Sequence, residues 1–152
     1  MGKTLRNGHI GLNVTDLDQS RAFYLSVLGY DLIGESPADT PNGRRYAFLG
    51  RDGEVLLTLW QQASGGYAAD RSGLHHLSFQ VDTIDEVRDA EHALKELGVT
   101  FQYEGVVPHR EGADSGGIFF TDPDGIRLEI FAAAGAGDAT APSDDAPTCG
   151  FF

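Results

Sequence analysis

Three residues far apart in the sequence could together bind a divalent cation: His9, His76 and Glu129. His9 opens the segment His-Ile-Gly-Leu-Asn-Val, and His76 opens the similar segment His-Leu-Ser-Phe-Gln-Val. If both segments face a common cleft, two imidazoles and one carboxylate would occupy one side of a metal ion and leave positions open for a substrate. The residue types admit iron(II), manganese, zinc or nickel and do not choose among them.

The two histidine segments belong to two similar halves of the chain. Each is followed by an acidic, amphipathic stretch that ends in Leu-Gly, and His9 to Gly29 spans 20 positions where His76 to Gly98 spans 22. Each half then closes with an Asp-Gly turn and an apolar run. A duplicated unit is the economical explanation. It predicts a pseudo-two-fold arrangement, with a site lined by equivalent strands of both halves.

The periodicity of apolar residues predicts the same order of elements in each half. In the first half, Asp16 or Asp18 can cap a helix that runs to Leu28; the second half has a helix over 83–97. The predicted strands are 9–14, 30–34, 46–49 and 54–60, then 74–81, 99–103, 118–121 and 127–131. These βαβββ units predict an α+β fold in which two tandem modules form a curved mixed-sheet cup with helices outside.

A single domain is expected over residues 1–132, with module one at 8–62 and module two at 74–132. The following stretch, from Ala132 to Ser143, is built from small and polar residues, and such a composition buries too little apolar surface to offset its ordering entropy. We therefore expect a flexible C-terminal tail over 133–152, with the terminal Phe151-Phe152 pair disordered as chain ends usually are.

The charge of the chain limits its partners. The formal net charge is −12, and the 11 Lys and Arg residues form no run longer than Arg44-Arg45. Nucleic acid and anionic membrane surfaces are therefore unexpected partners. The single cysteine, Cys149, cannot form an internal disulfide, and no stretch approaches 18 apolar residues, so we expect a soluble cytoplasmic protein.

Strand alternation indicates which side chains would share a wall with the three candidate ligands. His75 is expected to point to the opposite face from His76. The loop before the seventh strand could cover the cleft, which makes its His109 and Arg110 candidates for orienting an anionic or phenolic substrate. The candidate substrate-binding residues are Asn13, Thr58, Trp60, Ser78, Gln80, His109, Arg110 and Phe131.

The paired histidine segments, Phe23-Tyr24 with Val27-Leu-Gly29, and the ending Phe120-Thr-Asp-Pro-Asp-Gly-Ile-Arg-Leu-Glu129 resemble the vicinal oxygen chelate superfamily. This is the glyoxalase, bleomycin-resistance and ring-cleaving dioxygenase group, and the resemblance covers about residues 7–132. It implies that His9, His76 and Glu129 are the metal ligands. It also implies a small-molecule substrate and a homodimer, with a site built within one chain or between two.

The departures from the family pattern restrict the reaction. Glyoxalase I-like and methylmalonyl-CoA epimerase-like members usually carry a fourth ligand where this chain has Leu57 or Thr58. Three-ligand members include extradiol dioxygenases and fosfomycin-modifying transferases, but classical extradiol enzymes are about twice this length and no basic anion pocket is evident here. The expected function is a metal-dependent enzyme acting on a small oxygenated or aromatic molecule, most like the dioxygenase branch. The alternative is a metal-free protein that sequesters an antibiotic or natural product.

Overall fold

The chain divides into two compact units, the first ending at Gly66 and the second beginning at Tyr67. The fold is that of a computed structural model, which describes residues 2–150. The expected disorder of Phe151-Phe152 therefore lies outside the described residues. Each unit combines a four-stranded mixed sheet with an α-helix in the order βαβββ, which confirms the predicted α+β fold of two tandem modules.

The first unit has the strand order β1-β4-β3-β2, in which β1 is parallel to β4 and the other pairs are antiparallel. Helix α1 begins where the Asp16 carboxylate accepts the Gln19 N–H at 3.0 Å, and it ends at Gly29, whose φ of 62° is left-handed. The β3–β4 hairpin turns at Asp52 and Gly53, which both have positive φ. The elements are β1 (Ile10–Val14), α1 (Leu17–Leu28), β2 (Asp31–Glu35), β3 (Tyr46–Arg51) and β4 (Glu54–Gln61).

The second unit repeats this topology with the order β5-β8-β7-β6, in which β5 is parallel to β8. Thr83 caps helix α2 through a capping box with Glu86, which the spacing of a threonine three residues before a glutamate favours. Helix α2 buries Val87 and Leu94 and contacts β7 and β8. The elements are β5 (Leu77–Val81), α2 (Ile84–Glu96), β6 (Val107–Pro108), β7 (Gly116–Thr121) and β8 (Arg127–Ala132).

The predicted strand over 99–103 is wrong. That segment runs beside β7 and makes backbone hydrogen bonds to it, but it forms one isolated bridge, between Phe101 and Phe120. The chain then bends through Gly105, whose φ is 71°, before the two-residue strand β6 takes the edge position. Regular strand pairing with the β7 edge therefore begins at Val107, later in the sequence than the predicted strand over 99–103.

The C-terminal segment (residues 133–150) contacts the second unit at several points. The Ala136 N–H donates to the Asp114 carbonyl at 2.8 Å, and the Ala141 N–H donates to the Glu111 carboxylate at 3.0 Å. Ala136, Ala141 and Thr148 are buried. Main-chain donors can be satisfied without apolar side chains, so these contacts form despite the small and polar composition, and the flexibility of the tail stays a prediction.

The described part of the chain, residues 2–150, holds no helix that combines the length and the apolar character needed to cross a membrane.

Candidate functional site

Glu129 is the centre of a cluster of histidines in the second unit. Its side chain is only 3% exposed, although it lies on β8 among apolar residues. The carboxylate oxygen Oε1 is 2.5 Å from His109 Nε2, and Oε2 is 3.7 Å from His76 Nε2. A buried carboxylate needs such partners because burial without them is costly. Two imidazoles thus approach the two oxygens of one carboxylate.

His109 reaches Glu129 from the loop that follows β6. Its other ring nitrogen, Nδ1, is 2.8 Å from the Ser115 hydroxyl, and its ring packs against Phe131 with centroids 5.2 Å apart. Ser115 is a residue that sequence reasoning missed. The only available signal was its position in the loop Val107–Gly117, which was singled out for His109 and Arg110 alone.

His75 takes part in the cluster instead of pointing away from it. Its Nδ1 is 2.8 Å from His76 Nδ1, and its Nε2 is 2.9 Å from the Gly150 carbonyl oxygen. The predicted orientation of His75 is wrong because β5 begins only at Leu77. Residues 75 and 76 precede the strand, so the two-residue period of a strand does not apply to them.

Burial shifts the pKa values of His76 and Cys149, which belong to this cluster or lie near it. Desolvation lowers the pKa of His76 below the usual histidine value, while the nearby Glu129 carboxylate opposes the shift. Desolvation also raises the pKa of the Cys149 thiol, with a further contribution from the charge of Glu129. His76 is consequently biased toward the neutral form, which is the form that binds metals.

In the first unit, His9 lines a pocket of about 260 Å³ together with Phe48, Val55, Thr58 and Trp60. The Trp60 indole donates to the buried Thr58 hydroxyl at 2.9 Å, and Trp60 remains 36% exposed. The rings of Tyr46 and Phe48 stack with centroids 5.0 Å apart and contact Trp60. This pocket has an aromatic wall suited to a flat or apolar ligand.

The remaining sequence-predicted residues are distributed over both units. Asn13 is exposed, and its side-chain oxygen accepts the Gln62 N–H at 3.0 Å, so it is occupied in holding the end of β4. Ser78 pairs directly with Glu129 and Gln80 with Phe131, which places each pair on one face of the second sheet. Arg110 is exposed at the surface.

The second unit therefore brings together His76, Glu129 and His109. Among residues 2–150, no group of three or more His, Cys, Asp or Glu side chains is already arranged as a metal-binding set. The donor chemistry nevertheless fits a divalent cation, since a buried carboxylate with imidazoles on both oxygens supplies oxygen and nitrogen ligands of the required types.

Tandem βαβββ units with a buried glutamate on the last strand and a histidine before the first strand of the second unit define a chain of the vicinal oxygen chelate type. The chain belongs to the Glyoxalase/Bleomycin resistance protein/Dioxygenase superfamily, whose model matches residues 6–130. The resemblance noted from the motifs is thereby confirmed.

Relatives within this superfamily differ in activity. The chain is 29% identical over 128 residues to Catechol-2,3-dioxygenase of Bacillus subtilis (strain 168). The aligned region covers 82% of this chain but only 40% of that protein. A glyoxylase/bleomycin resistance protein/dioxygenase domain from Frankia sp. EAN1pec superposes with a TM-score of 0.70 at 25% identity, covering 86% of this chain and 98% of that one. The fosfomycin resistance protein FosX of Listeria monocytogenes, complexed with Mn(II) and sulfate, superposes with a TM-score of 0.62 at 25% identity. This match covers 87% of this chain and 93% of the FosX chain.

Proposed function

We propose that this protein is a divalent-metal-dependent enzyme that acts on a small oxygenated or aromatic molecule, most like the three-ligand dioxygenase branch of the superfamily. The observation that carries the proposal is the buried Glu129 carboxylate, with imidazole nitrogens 2.5 and 3.7 Å from its two oxygens. The similarity to Catechol-2,3-dioxygenase and to the Mn(II) complex of FosX supports the same choice.

The proposed ligands are His76 and Glu129 of module two and His9 of a first module. His76 and Glu129 are supported by their proximity, and His9 by its equivalent place in the duplicated motif. Iron(II), manganese, zinc and nickel are the candidate ions. When bound, such an ion supplies Lewis-acid polarisation of substrate oxygens.

The other residues would bind and orient the substrate. His109 can hold a proton at Nε2 against Glu129 and so fix the carboxylate, with Ser115 fixing the opposite ring nitrogen. Phe131 packs on the His109 ring, and Trp60 with Phe48 offers an aromatic surface beside His9. These surfaces favour a flat or apolar substrate with two oxygens over a highly charged one.

The test is metal titration of the purified protein followed by thermal unfolding and turnover of a catechol. We expect a bound ion to raise Tm, because a ligand that binds only the folded state stabilises it. Glu129→Gln, which keeps the shape but removes the charge, should abolish this increase. His92→Gln is the matched control, since His92 is exposed on α2 and pairs only loosely with Glu96 at 3.5 Å. No metal-dependent change in Tm or turnover with any of the four ions would overturn the proposal.

The alternative function is metal-free sequestration of a drug or natural product. It is favoured by the 2.5 Å contact of His109 with Glu129, which gives the buried carboxylate a partner without a cation, and by the half-exposed aromatic wall around Trp60. A net charge of −12 would also attract a cationic ligand.

Trp60 provides a direct test of this alternative because it is the single tryptophan of the chain. Bleomycin added to the metal-free protein should change the tryptophan emission stoichiometrically if sequestration is the function, and the Thr58→Val variant should weaken the change. An unaltered emission with bleomycin, together with metal-dependent turnover, would eliminate the alternative.

A further inference from the structure

A chain of close polar contacts runs from the C-terminal segment to His76. The Gly150 carbonyl oxygen is 2.9 Å from His75 Nε2, and His75 Nδ1 is 2.8 Å from His76 Nδ1. The opposite nitrogen of His76, Nε2, faces Glu129 Oε2 at 3.7 Å. His75 therefore stands between Gly150, the last described residue, and the proposed metal ligand His76.

The carbonyl at the start of this chain dictates where the protons lie. A carbonyl only accepts, so His75 Nε2 must carry the hydrogen that it shares with Gly150. In a neutral imidazole the other nitrogen then has a lone pair, so His75 Nδ1 accepts and His76 Nδ1 donates. Arg127 Nη1 also lies 3.5 Å from His75 Nε2 and would favour the opposite tautomer. The 2.9 Å contact prevails, since 3.5 Å is at the limit of a hydrogen bond.

This order leaves the lone pair of His76 on Nε2, facing the carboxylate. His76 Nε2 and Glu129 Oε2 then both present lone pairs to each other, which is an arrangement that a shared cation satisfies. Histidine ligands usually donate their second N–H to a neighbouring acceptor, which fixes both the tautomer and the ring orientation. Here that acceptor is another histidine, whose own tautomer is fixed by the main chain.

Several contacts hold the C-terminal segment in the position that places the Gly150 carbonyl against His75. The Thr148 N–H donates to the His109 carbonyl at 2.8 Å, and its hydroxyl donates to the Pro108 carbonyl at 2.6 Å. The Tyr103 hydroxyl donates to the Thr148 carbonyl at 3.2 Å. Cys149 packs against the buried pair Val107 and Phe119. Thr148, Cys149 and Gly150 lie beyond residue 130, where the match to the family model ends.

We propose that His75 is a positioning residue for the metal ligand His76, and that the C-terminal segment, anchored by Thr148, sets the tautomer of both histidines through the Gly150 carbonyl. The inference rests on the proposed function, because it makes His76 a ligand. Its tautomer assignment, however, can be measured on the full-length metal-free protein.

The primary experiment is long-range ¹H–¹⁵N NMR of the histidines at about pH 8, which is well above the ordinary pKa of an imidazole side chain. We expect the Nε2–H tautomer for His75 and the Nδ1–H tautomer for His76. In His75→Asn the side-chain oxygen replaces the accepting Nδ1, so His76 should keep its tautomer. In His75→Leu the acceptor that His75 provides is removed, and His76 should change to a mixture of tautomers.

The second measurement concerns the anchor. Thr148→Val removes the hydroxyl that donates to the Pro108 carbonyl, and we expect the His75 signals to shift toward a mixture of tautomers. Thr140→Val makes the same chemical change at an exposed position of the same segment and should leave the spectrum unaltered. Metal affinity, measured by titration, should fall about 10- to 100-fold in His75→Leu, as for other losses of a partner to a ligating histidine, and remain near the original value in His75→Asn.

The outcomes separate the two proposals. An Nε2–H tautomer at His76 in the unmodified protein would overturn the inference, as would equal metal affinities in His75→Leu and His75→Asn. The expected tautomers without any metal binding would support the positioning by the C-terminal segment and defeat the proposed function. Metal binding by a protein in which His76 has the Nε2–H tautomer would support the proposed function and defeat the positioning by the C-terminal segment.

Discussion

At the scale of single residues, the decisive group is Glu129. Its carboxylate is almost fully buried on β8, and each of its oxygens faces an imidazole. One oxygen is held by His109 at hydrogen-bond distance, whereas the other stands 3.7 Å from His76. This asymmetry leaves one oxygen engaged and the other directed at a nitrogen that can bind metal.

The contact of His109 with Glu129 predicts a measurable contribution to stability. His109→Leu leaves a buried carboxylate oxygen without its donor, which should lower the free energy of unfolding by about 1–3 kcal/mol. His109→Gln places an amide N–H near the position of Nε2 and should lose less. Urea unfolding of the metal-free variants measures both values, and equal stabilities of the two variants would show that the hydrogen bond contributes nothing.

The lowered pKa of His76 predicts how metal binding depends on pH. A protonated imidazole cannot bind a metal, so affinity should fall as the pH drops through the pKa of His76. Because burial lowers that pKa, the part of the loss that His76 contributes should occur below the range of an ordinary exposed histidine near pH 6.5. Metal titrations from about pH 8 to pH 5 follow this loss, and His92→Gln should give the same curve. A midpoint above the ordinary value would contradict the assignment.

At the scale of elements, helix α2 depends on its first turn. The Thr83 hydroxyl accepts the Glu86 N–H, while the Glu86 carboxylate accepts the Thr83 N–H at 2.8 Å. The helix packs on the strands that carry the candidate site, β7 and β8. Its stability is therefore coupled to the positions of Glu129 and its neighbours.

Removal of this cap gives a prediction at the same scale. Thr83→Ala should lower the free energy of unfolding by about 1 kcal/mol because the Glu86 N–H loses its acceptor. Thr83→Ser retains the hydroxyl and should remain close to the original stability. Denaturant midpoints at constant slope measure the difference, and an alanine variant as stable as the serine variant would refute the role of the cap.

At the scale of the whole molecule, the chain comprises two units of the same topology and carries a net charge of −12. The similarity to Catechol-2,3-dioxygenase covers only 40% of that protein. This similarity therefore does not assign the activity or the substrate of the longer protein to this chain.

The association state is a prediction at this scale. The family resemblance implies a homodimer, so light scattering at micromolar concentration should report about twice the chain mass of 16.3 kDa. Raising the salt concentration should favour the dimer, since it screens the repulsion between two acidic chains. A mass of one chain at all concentrations up to the micromolar range would contradict the homodimer.

Most of the fold could be predicted from the sequence because its signals are local. Apolar periodicity, with Asp16 or Asp18 as the candidate cap of the first helix, located both helices to within a residue or two, and the Asp52-Gly53 pair located the hairpin. The strand over 99–103 was wrong because pairing along an edge depends on the neighbouring strand. His75 was misplaced because the start of β5 cannot be read to the residue.

By itself, the sequence determined the duplicated βαβββ architecture and the superfamily, and it made His76 and Glu129 candidate ligands, since repeats and motif spacing are properties of the chain. The tertiary structure alone decided that His109 engages Glu129, that His75 contacts His76, and that residues 148–150 lie against this cluster. These contacts join positions up to 75 residues apart. They depend on where loops and the chain end pack, and no local pattern of residues specifies that.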